Sequence, residues 1–386
     1  MLAKRATDQF LRHMDKIECG RFEVITPDGQ TRVFQGRNPG PSGNLQLHDW
    51  RVIPNLLARG DTGFADDYRS GLWETKNLPD LMTLALANDG VVEKYLFGNR
   101  FHQLVSTLSY SLKANSRKGS KRNIHHHYDL GNEFYALWLD PTMTYSSGIF
   151  SHKGASLTEA QHSKYDRILD RLNNKSGTLL EIGCGWGGFA ERAAQRGHDA
   201  IKGITISRAQ HDFAAKRLDG AADIALEDYR DQQGRFDSIV SIEMFEAVGE
   251  SYWPVYFEKL SALLKQGGKA VIQTITIDDN HFEKYRKGGD AIRSFIFPGG
   301  MLPSPTRFAA EAAKAGLKVT DRFAFGQDYA HTLQHWLDTF DTKIHDVTNM
   351  GFDAAFVRLW RFYLASCIAG FKTERTDVMQ FELQHA

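Results

Sequence analysis

Residues 178–188 read TLLEIGCGWGG, and this stretch decides the fold. Its first five residues are typical of a short buried strand, and the glycines after them are typical of a tight turn into a helix over 189–196. The following sequence alternates in the same way, with strands predicted over 200–206, 236–241 and 269–277 and helices over 207–218 and 252–264. Strands that alternate with helices predict a doubly wound, Rossmann-like α/β domain with a parallel sheet.

The glycine loop predicts a cofactor site, because ligands bind beyond the carboxyl ends of the strands in such sheets. Gly183, Gly185 and Gly187 fit an NAD enzyme as well as an S-adenosylmethionine enzyme. Two details favour S-adenosylmethionine. Glu181 lies two residues before the first glycine, where an acid can interact with the methionine end of that cofactor. The second strand ends in Thr-Ile-Ser at 205–207 and lacks the acidic residue that hydrogen-bonds the ribose of NAD.

Composition bounds the class of protein. The chain has 386 residues, of which 47 are basic, 47 are acidic and 42% are hydrophobic. These values exclude global disorder, and the balanced charge argues against a nucleic-acid partner. Three cysteines are too few for a disulfide framework, which fits a reducing cytoplasm. We expect no membrane span, because we find no run of about 18 apolar residues, and no metal site at the consecutive histidines 125–127.

Residues 1–112 predict a small α+β domain. Apolar residues at helical spacing over 1–17 predict an amphipathic helix, which either packs on its own domain or lies on a lipid surface. The next segments are predicted, in order, as strands over 21–25 and 31–34, a Gly/Pro-rich loop over 36–43, an extended segment through 45–53 and helical structure from 66 onward.

Residues 113–123 form a basic segment that has no acidic residue and almost no apolar one. This composition is typical of a solvated linker, and its position also fits contact with an anionic surface. We therefore divide the chain into a first domain over 1–112, a basic linker over 113–123 and a second domain over 124–386.

Several segments around the glycine loop point to one family. They read HYDLGNEFY at 127–135, LDPTMTYSS at 139–147, MFEAVG at 244–249, FIFPGG at 295–300 and DY at 328–329. Together they resemble the cyclopropane fatty acid synthase family, which includes the mycolic acid cyclopropane synthases. The resemblance implies a class I methyltransferase domain with acyl-chain-binding insertions, preceded by a domain linked to lipid binding and dimerisation.

The resemblance also implies the residues of a cofactor site. Beside Glu181 and the loop glycines Gly183, Gly185 and Gly187, the positions that match the family's S-adenosylmethionine site are Tyr128, Tyr145, Ser146, Thr205, Ile206 and Gln210, with Asp228 or Tyr229 near the adenine.

In the family, the base is thought to be a bound bicarbonate. The matching positions here are Glu246, Tyr329 and the backbone of Ile275, while Ser147 stands in the cysteine position and Gln273 in the histidine position. Serine and glutamine can still hydrogen-bond an anion, but neither supplies the charge change of an imidazole. These departures leave three outcomes open: a cyclopropane product, a methyl-branched unsaturated product, or a non-catalytic protein that binds lipid or cofactor.

The implied substrates are cis-unsaturated acyl chains of membrane phospholipids. Methyl transfer to an alkene leaves a carbocation, which needs electron-rich walls and the exclusion of water. Aromatic candidates for such walls are Phe295, Phe297, Tyr329, Trp336, Phe340, Trp360, Phe362 and Tyr363. A methyltransferase of a small soluble acceptor is the competing hypothesis. The leading interpretation predicts a cytoplasmic homodimer peripheral to the inner face of the membrane, without a nucleic-acid partner.

Overall fold

The computed structural model describes residues 2–96, 130–172 and 175–386. The chain divides into two compact units. Unit 1 comprises Met1–Leu112, Lys284–Pro298 and Trp336–Arg375, and unit 2 comprises Lys113–Glu283, Gly299–His335 and Thr376–Ala386. The segments 284–298 and 336–375, which the sequence-based division assigned to the second domain, therefore belong to the same unit as 1–112. The predicted linker at 113–123 lies outside the described residues.

Unit 1 contains a four-stranded sheet in the order β2-β1-β3-β4. Its strands are β1 Cys19–Ile25, β2 Thr31–Gln35, β3 Asn38–Leu47 and β4 Trp73–Glu74. The helices of its first segment are α1 Leu2–Met14, α2 Val52–Arg69, α3 Leu78–Ala87 and α4 Asp89–Leu96.

Two expectations for unit 1 were wrong. The Gly/Pro-rich segment 36–43 is mostly strand β3, which pairs in parallel with β1. Its glycine at Gly43 serves close packing rather than a turn, because a Cβ there would lie 3.0 Å from Leu84 Cδ2 of α3. The extended segment predicted through 45–53 ends early, since Val52 and Ile53 already belong to α2.

The amphipathic helix α1 packs on its own unit. Phe10, Leu11 and Met14 are buried in the core of unit 1, whereas Leu2 at the start of the helix is 81% exposed. This agrees with the first of the two interpretations, in which the apolar face covers the helix's own domain.

The helices of the remaining chain are α5 Asn132–Ala136, α6 Leu157–Arg171, α7 Gly188–Gln195, α8 Arg208–Leu218, α9 Trp253–Leu263, α10 Asp279–Lys287, α11 Ala291–Phe295, α12 Pro305–Lys314, α13 Gly326–Thr342, α14 Ile344–Asn349 and α15 Ala354–Lys372. Of these, α15 is long and apolar enough to cross a membrane by length and composition, although Arg358 and Arg361 interrupt its apolar sequence. Its apolar window is 56% buried inside the protein, as in the core helix of a globular domain.

Unit 2 is built on a seven-stranded sheet in the order β10-β11-β9-β8-β5-β6-β7. Its strands are β5 Leu179–Ile182, β6 Ile201–Thr205, β7 Asp223–Leu226, β8 Phe236–Ile242, β9 Leu264–Ile277, β10 Leu317–Ala324 and β11 Thr376–His385. Strands β5 to β9 pair in parallel, and β11 joins β9 in antiparallel register. The doubly wound α/β fold is therefore confirmed, and β7, β10 and β11 are additions that the sequence analysis missed.

A cluster of aromatic rings packs beside this sheet. Phe308 of α12 is fully buried, stacks on Phe381 of β11 at a centroid distance of 4.2 Å and contacts Phe257 edge-to-face at 5.0 Å. Phe245, just after β8, contacts the same Phe308 ring at 5.3 Å. The cluster thus fixes the segment that leaves the carboxyl end of β8.

Replacing Phe308 by alanine should destabilise unit 2. We expect Phe308→Ala to lower the free energy of unfolding by about 3–5 kcal/mol, because it leaves a cavity among rigid rings. Urea denaturation followed by circular dichroism measures the change. Val255→Ala on α9 is the control, since Val255 is 43% exposed, and it should shift stability by less than about 0.5 kcal/mol. Equal effects of the two substitutions would contradict the packing argument.

Candidate active site

The loop after β5 is shaped by glycines with positive φ. Gly183, Gly185 and Gly187 have φ of 82°, 52° and 85°, a region that residues with a Cβ rarely adopt. The N–H groups of Gly183 and Cys184 both donate to the carbonyl of Ile204 in β6, at 2.9 and 3.0 Å. This anchoring holds the loop at the carboxyl edge of the sheet, where ligands bind in this fold.

The loop is crowded at one glycine and open at another. A Cβ on Gly183 would lie 2.8 Å from Cγ of Met244, so the loop packs directly against the segment that follows β8. A Cβ on Gly185 would meet no heavy atom within 4 Å. A ligand can therefore approach the backbone closely at Gly185, and this geometry fits S-adenosylmethionine.

The predicted residues after β6 form one small network. Thr205 Oγ1 donates to Gln210 Oε1 at 3.0 Å and accepts a hydrogen bond from the N–H of Ser207 at 3.2 Å. Ile206 lies between β6 and α8, and Ser207 caps the first turn of that helix. The network orders the edge of the sheet beside the glycine loop.

Other predicted cofactor residues contact protein neighbours. Asp228 pairs with Arg230 at 2.7 Å, and the Tyr229 ring packs edge-to-face on a neighbouring tyrosine. Tyr145 packs in an aromatic cluster, and Tyr128 lies outside the described residues. Their roles in cofactor binding stay predictions.

A buried lysine that the sequence analysis missed contacts the predicted Ser146. Lys164 of α6 is fully buried, and its Nζ donates to Ser146 Oγ at 2.6 Å. Burial lowers the pKa of Lys164 to about 7, while the charge of Glu243 opposes this shift. The sequence feature that could have revealed this residue is a lysine on the apolar face of a predictable helix.

Three predicted catalytic residues meet around a carboxylate that the sequence analysis did not name, that of Glu243. The N–H of Ser147 and Nε2 of Gln273 donate to its Oε1 at 2.9 and 2.8 Å, and the hydroxyl of Tyr329 donates to its Oε2 at 2.5 Å. Ser147 contributes its backbone only, because its Oγ donates to the carbonyl of Gly148. The expectation that the serine hydroxyl takes over the anion contact of a cysteine is therefore corrected.

The other two predicted catalytic positions contact each other. The N–H of Ile275 donates to Glu246 Oε1 at 2.5 Å. Glu246 Oε2 is buried and has no hydrogen-bond partner in the part of the chain that the structure describes. Burial and, after it, the charge of Glu243 raise the pKa of Glu246 to about 8. Glu246 is therefore largely a neutral acid at pH near 7.

Burial also raises the pKa of Glu243, against the hydrogen bond from Tyr329 and the charge of Lys164. Glu243 follows β8 directly and lies three residues before Glu246. The signal that could have found it was an acid at the carboxyl end of a buried parallel strand. Two carboxyl groups thus lie in a desolvated setting beside the glycine loop.

The aromatic residues that we expected to surround a carbocation are divided between the two units. Tyr329 belongs to unit 2 together with the glycine loop, and the other seven belong to unit 1. Their role stays a prediction. Within residues 2–96, 130–172 and 175–386, no group of three or more His, Cys, Asp or Glu side chains is placed to hold a metal ion. The histidines 125–127 lie outside these ranges.

A parallel sheet, a glycine loop open to a ligand and desolvated carboxyl groups at the same edge define a class I S-adenosylmethionine-dependent methyltransferase. The chain belongs to the mycolic acid cyclopropane synthetase family, whose profile matches residues 115–381. It is therefore an enzyme with S-adenosylmethionine as its cofactor, and the alternative of a non-catalytic protein is set aside.

Individual relatives agree with this assignment. The chain is 38% identical over 350 residues to the tuberculostearic acid methyltransferase UfaA1 of Mycobacterium tuberculosis, covering 86% of this chain and 81% of the relative. It is 31% identical over 351 residues to the cyclopropane-fatty-acyl-phospholipid synthase of Escherichia coli, covering 89% and 88%. The crystal structure of mycolic acid cyclopropane synthase CmaA1 complexed with SAH and CTAB is similar, with a TM-score of 0.63, 30% identity and coverage of 68% and 98%.

The open side of the glycine loop makes a prediction about cofactor affinity. We expect Gly185→Ala to weaken S-adenosylmethionine binding by about tenfold or more, because the added methyl group enters the space left for the ligand. Isothermal titration calorimetry measures the affinity. Gly197→Ala is the matched control, since Gly197 has φ 84° and equally open surroundings but lies after α7. Unchanged affinity in Gly185→Ala would refute the assignment of this face to the cofactor.

The buried Glu181 predicts a pH dependence of stability. Burial raises the pKa of Glu181 from its usual value near 4.5 to about 8. Between these two pH values, Glu181 is protonated in the folded protein and ionised in the unfolded chain. The free energy of unfolding therefore falls as the pH rises between these two values, by about 1.4 kcal/mol for each pH unit when the two states differ by one full proton. Glu181→Gln should flatten the decline measured by urea unfolding between pH of about 5 and 8. Glu258→Gln, on the exposed face of α9, is the control and should show the same dependence of stability on pH as the parent protein. If the stability of all three proteins changed equally with pH, this interpretation would be contradicted.

Proposed function

We propose that this enzyme methylates the cis double bond of an unsaturated phospholipid acyl chain. The observation that carries the proposal is the contact of the glycine loop with the segment that bears both buried glutamates, through Gly183 and Met244. A cofactor that binds the loop thus lies next to two ionisable carboxyl groups. The names of two relatives, a cyclopropane-fatty-acyl-phospholipid synthase and a tuberculostearic acid methyltransferase, support a lipid acyl substrate.

S-adenosylmethionine, when bound, supplies an electrophilic methyl group. The residues of this chain then have two tasks. The glycine loop and the Thr205–Gln210 network orient the cofactor, so that the weakly nucleophilic alkene is attacked in line. The desolvated setting of Glu243 and Glu246 excludes the water that would trap a carbocation, and it strengthens the electrostatic effect of the Glu243 carboxylate on that cation.

The same intermediate can lose its proton in two places. Loss from the added methyl group closes a cyclopropane ring, and loss from a neighbouring carbon leaves a methyl-branched alkene. Ser147 and Gln273 in the positions of the family's cysteine and histidine favour the branched product, and a relative named as a methyltransferase supports it. The branched product is therefore the second candidate beside the ring.

Methyl transfer is tested with vesicles of a cis-monounsaturated phosphatidylglycerol and methyl-labelled S-adenosylmethionine. We expect the acyl chains to gain the mass of one CH2 group and to carry the label, as measured by mass spectrometry. Proton NMR of the lipid extract distinguishes the ring from the branched alkene, which are isomers.

Vesicles of the corresponding saturated lipid are the control, because they lack the alkene that the reaction requires. Labelling of both lipids at the same rate, or of neither while the cofactor binds, would overturn the proposed function.

The location and assembly of the enzyme are part of the proposal. We infer that it works in the cytoplasm at the inner face of the membrane, since its substrate must be drawn from a bilayer. We also infer that it is a homodimer, as the family resemblance implies. The basic segment at 113–123 supports attraction to anionic lipid. Sedimentation with anionic but not zwitterionic vesicles, and a dimer mass in analytical ultracentrifugation, are the expected results.

A further inference from the structure

The hydrogen-bond donors expected to hold a free anion are engaged by the protein's own carboxylates. Ser147, Gln273 and Tyr329 donate to Glu243, and the N–H of Ile275 donates to Glu246. Apart from the Ser147 hydroxyl, which donates to the carbonyl of Gly148, the donor groups at these four positions are thus directed at a glutamate oxygen. A carboxylate has the same planar pair of oxygens that bicarbonate would offer to these donors.

The orientation of Gln273 is fixed by a chain of side chains that ends at a cation. Arg167 can only donate, and its guanidinium donates to Gln380 Oε1 at 2.6 Å. Gln380 Nε2 must then face Gln273 Oε1, at 3.0 Å, which directs Gln273 Nε2 toward Glu243. Gln273 is therefore a permanent donor to this carboxylate and needs no change of charge, unlike a histidine in its place.

The backbone of Glu243 indicates that its position is imposed by the surrounding structure. Its φ is 49°, in the left-handed region where a residue with a Cβ is strained by about 1–2 kcal/mol. Its N–H donates to the carbonyl of Gln273 at 2.8 Å, which holds the residue in this conformation. Such strain persists where the fold over-determines it, and it is common at active sites.

The two oxygens of Glu243 differ in what they can do. Oε1 accepts two N–H bonds from groups that cannot accept in return, so it has no favourable place for a proton. Oε2 faces the Tyr329 hydroxyl, which can rotate and accept instead of donate. A proton that arrives on Oε2 therefore keeps a hydrogen bond. Burial raises the pKa of Glu243, which strengthens the carboxylate as a base.

We propose that Glu243 is the resident general base of the methyl transfer and takes the place of a bound bicarbonate. This inference rests on the proposed function. The alkene's π pair forms the bond to the transferred methyl group, and the C–S bond pair stays on sulfur. A C–H pair of the resulting cation then forms the ring bond or the new double bond, and the proton passes to Glu243 Oε2. Release of this proton to solvent restores the carboxylate.

Two substitutions at one position test the proposal. Glu243→Gln keeps the size of the side chain but removes the base, and it should lower turnover by about 100-fold or more while binding S-adenosylmethionine normally. Glu243→Gly removes the side chain, relieves the left-handed strain and leaves space for an anion among the same donors. This variant should be inactive in CO2-free buffer and regain turnover when bicarbonate is added. The parent enzyme should be equally active with and without bicarbonate.

Binding of ¹³C-bicarbonate, followed by NMR, gives a readout that needs no turnover. We expect binding to Glu243→Gly and none to the parent protein. Glu374→Gly is the matched control, since Glu374 also has a positive φ, of 57°, but is exposed in unit 1. It should neither bind bicarbonate nor change turnover. Unaltered Tm values and cofactor affinities establish that the variants are folded.

A bicarbonate requirement of the parent enzyme, equal bicarbonate binding by the parent and Glu243→Gly, or near-normal turnover of Glu243→Gln would each overturn the assignment. If the parent enzyme transfers no methyl group to acyl chains, the proposed function fails. The NMR measurement still decides in that case whether the glutamate or a free anion occupies the donors.

Discussion

The parallel pairing of β5 with β8 is the constraint on which the active site depends. It brings two carboxyl ends of strands to one edge, so that the glycine loop after β5 lies against the residues after β8. Gly183 is required at this contact because any side chain there would collide with Met244. The cofactor loop and the acidic segment are consequently built as one structure.

Desolvation gives this edge its chemistry. Glu243, Glu246, Glu181 and Lys164 lie close enough in a dry environment for burial and mutual charge to shift their pKa values. The proposed reaction forms a cation and then removes a proton, and it needs carboxyl groups shielded from water, because water would both screen the charge and capture the cation. The fold supports the buried acids with backbone N–H groups, a tyrosine and an amide fixed by an arginine.

Much of this arrangement could be predicted from local patterns. The strand–glycine–helix pattern at 178–196 and the strands after it are local, and the structure confirms the fold that they predict. Local patterns were misleading where packing decides the conformation: Gly43 belongs to a strand that lies close to α3, and Val52 begins a helix. Local patterns also did not show that the distant segments 284–298 and 336–375 belong to the same compact unit as the first segment of the chain.

The sequence by itself determined the cofactor class, and its resemblance to a family singled out three residues that surround Glu243, because glycine spacing and short motifs are properties of adjacent residues. Only the tertiary structure decided which groups those residues contact. Ser147, Gln273 and Tyr329 are far apart in the chain and meet at Glu243 through strand pairing and the packing of α13. A hydrogen bond requires a donor–acceptor distance of about 3 Å. The spacing of residues along the chain does not specify such distances between segments that are far apart in the sequence and meet only in the folded protein.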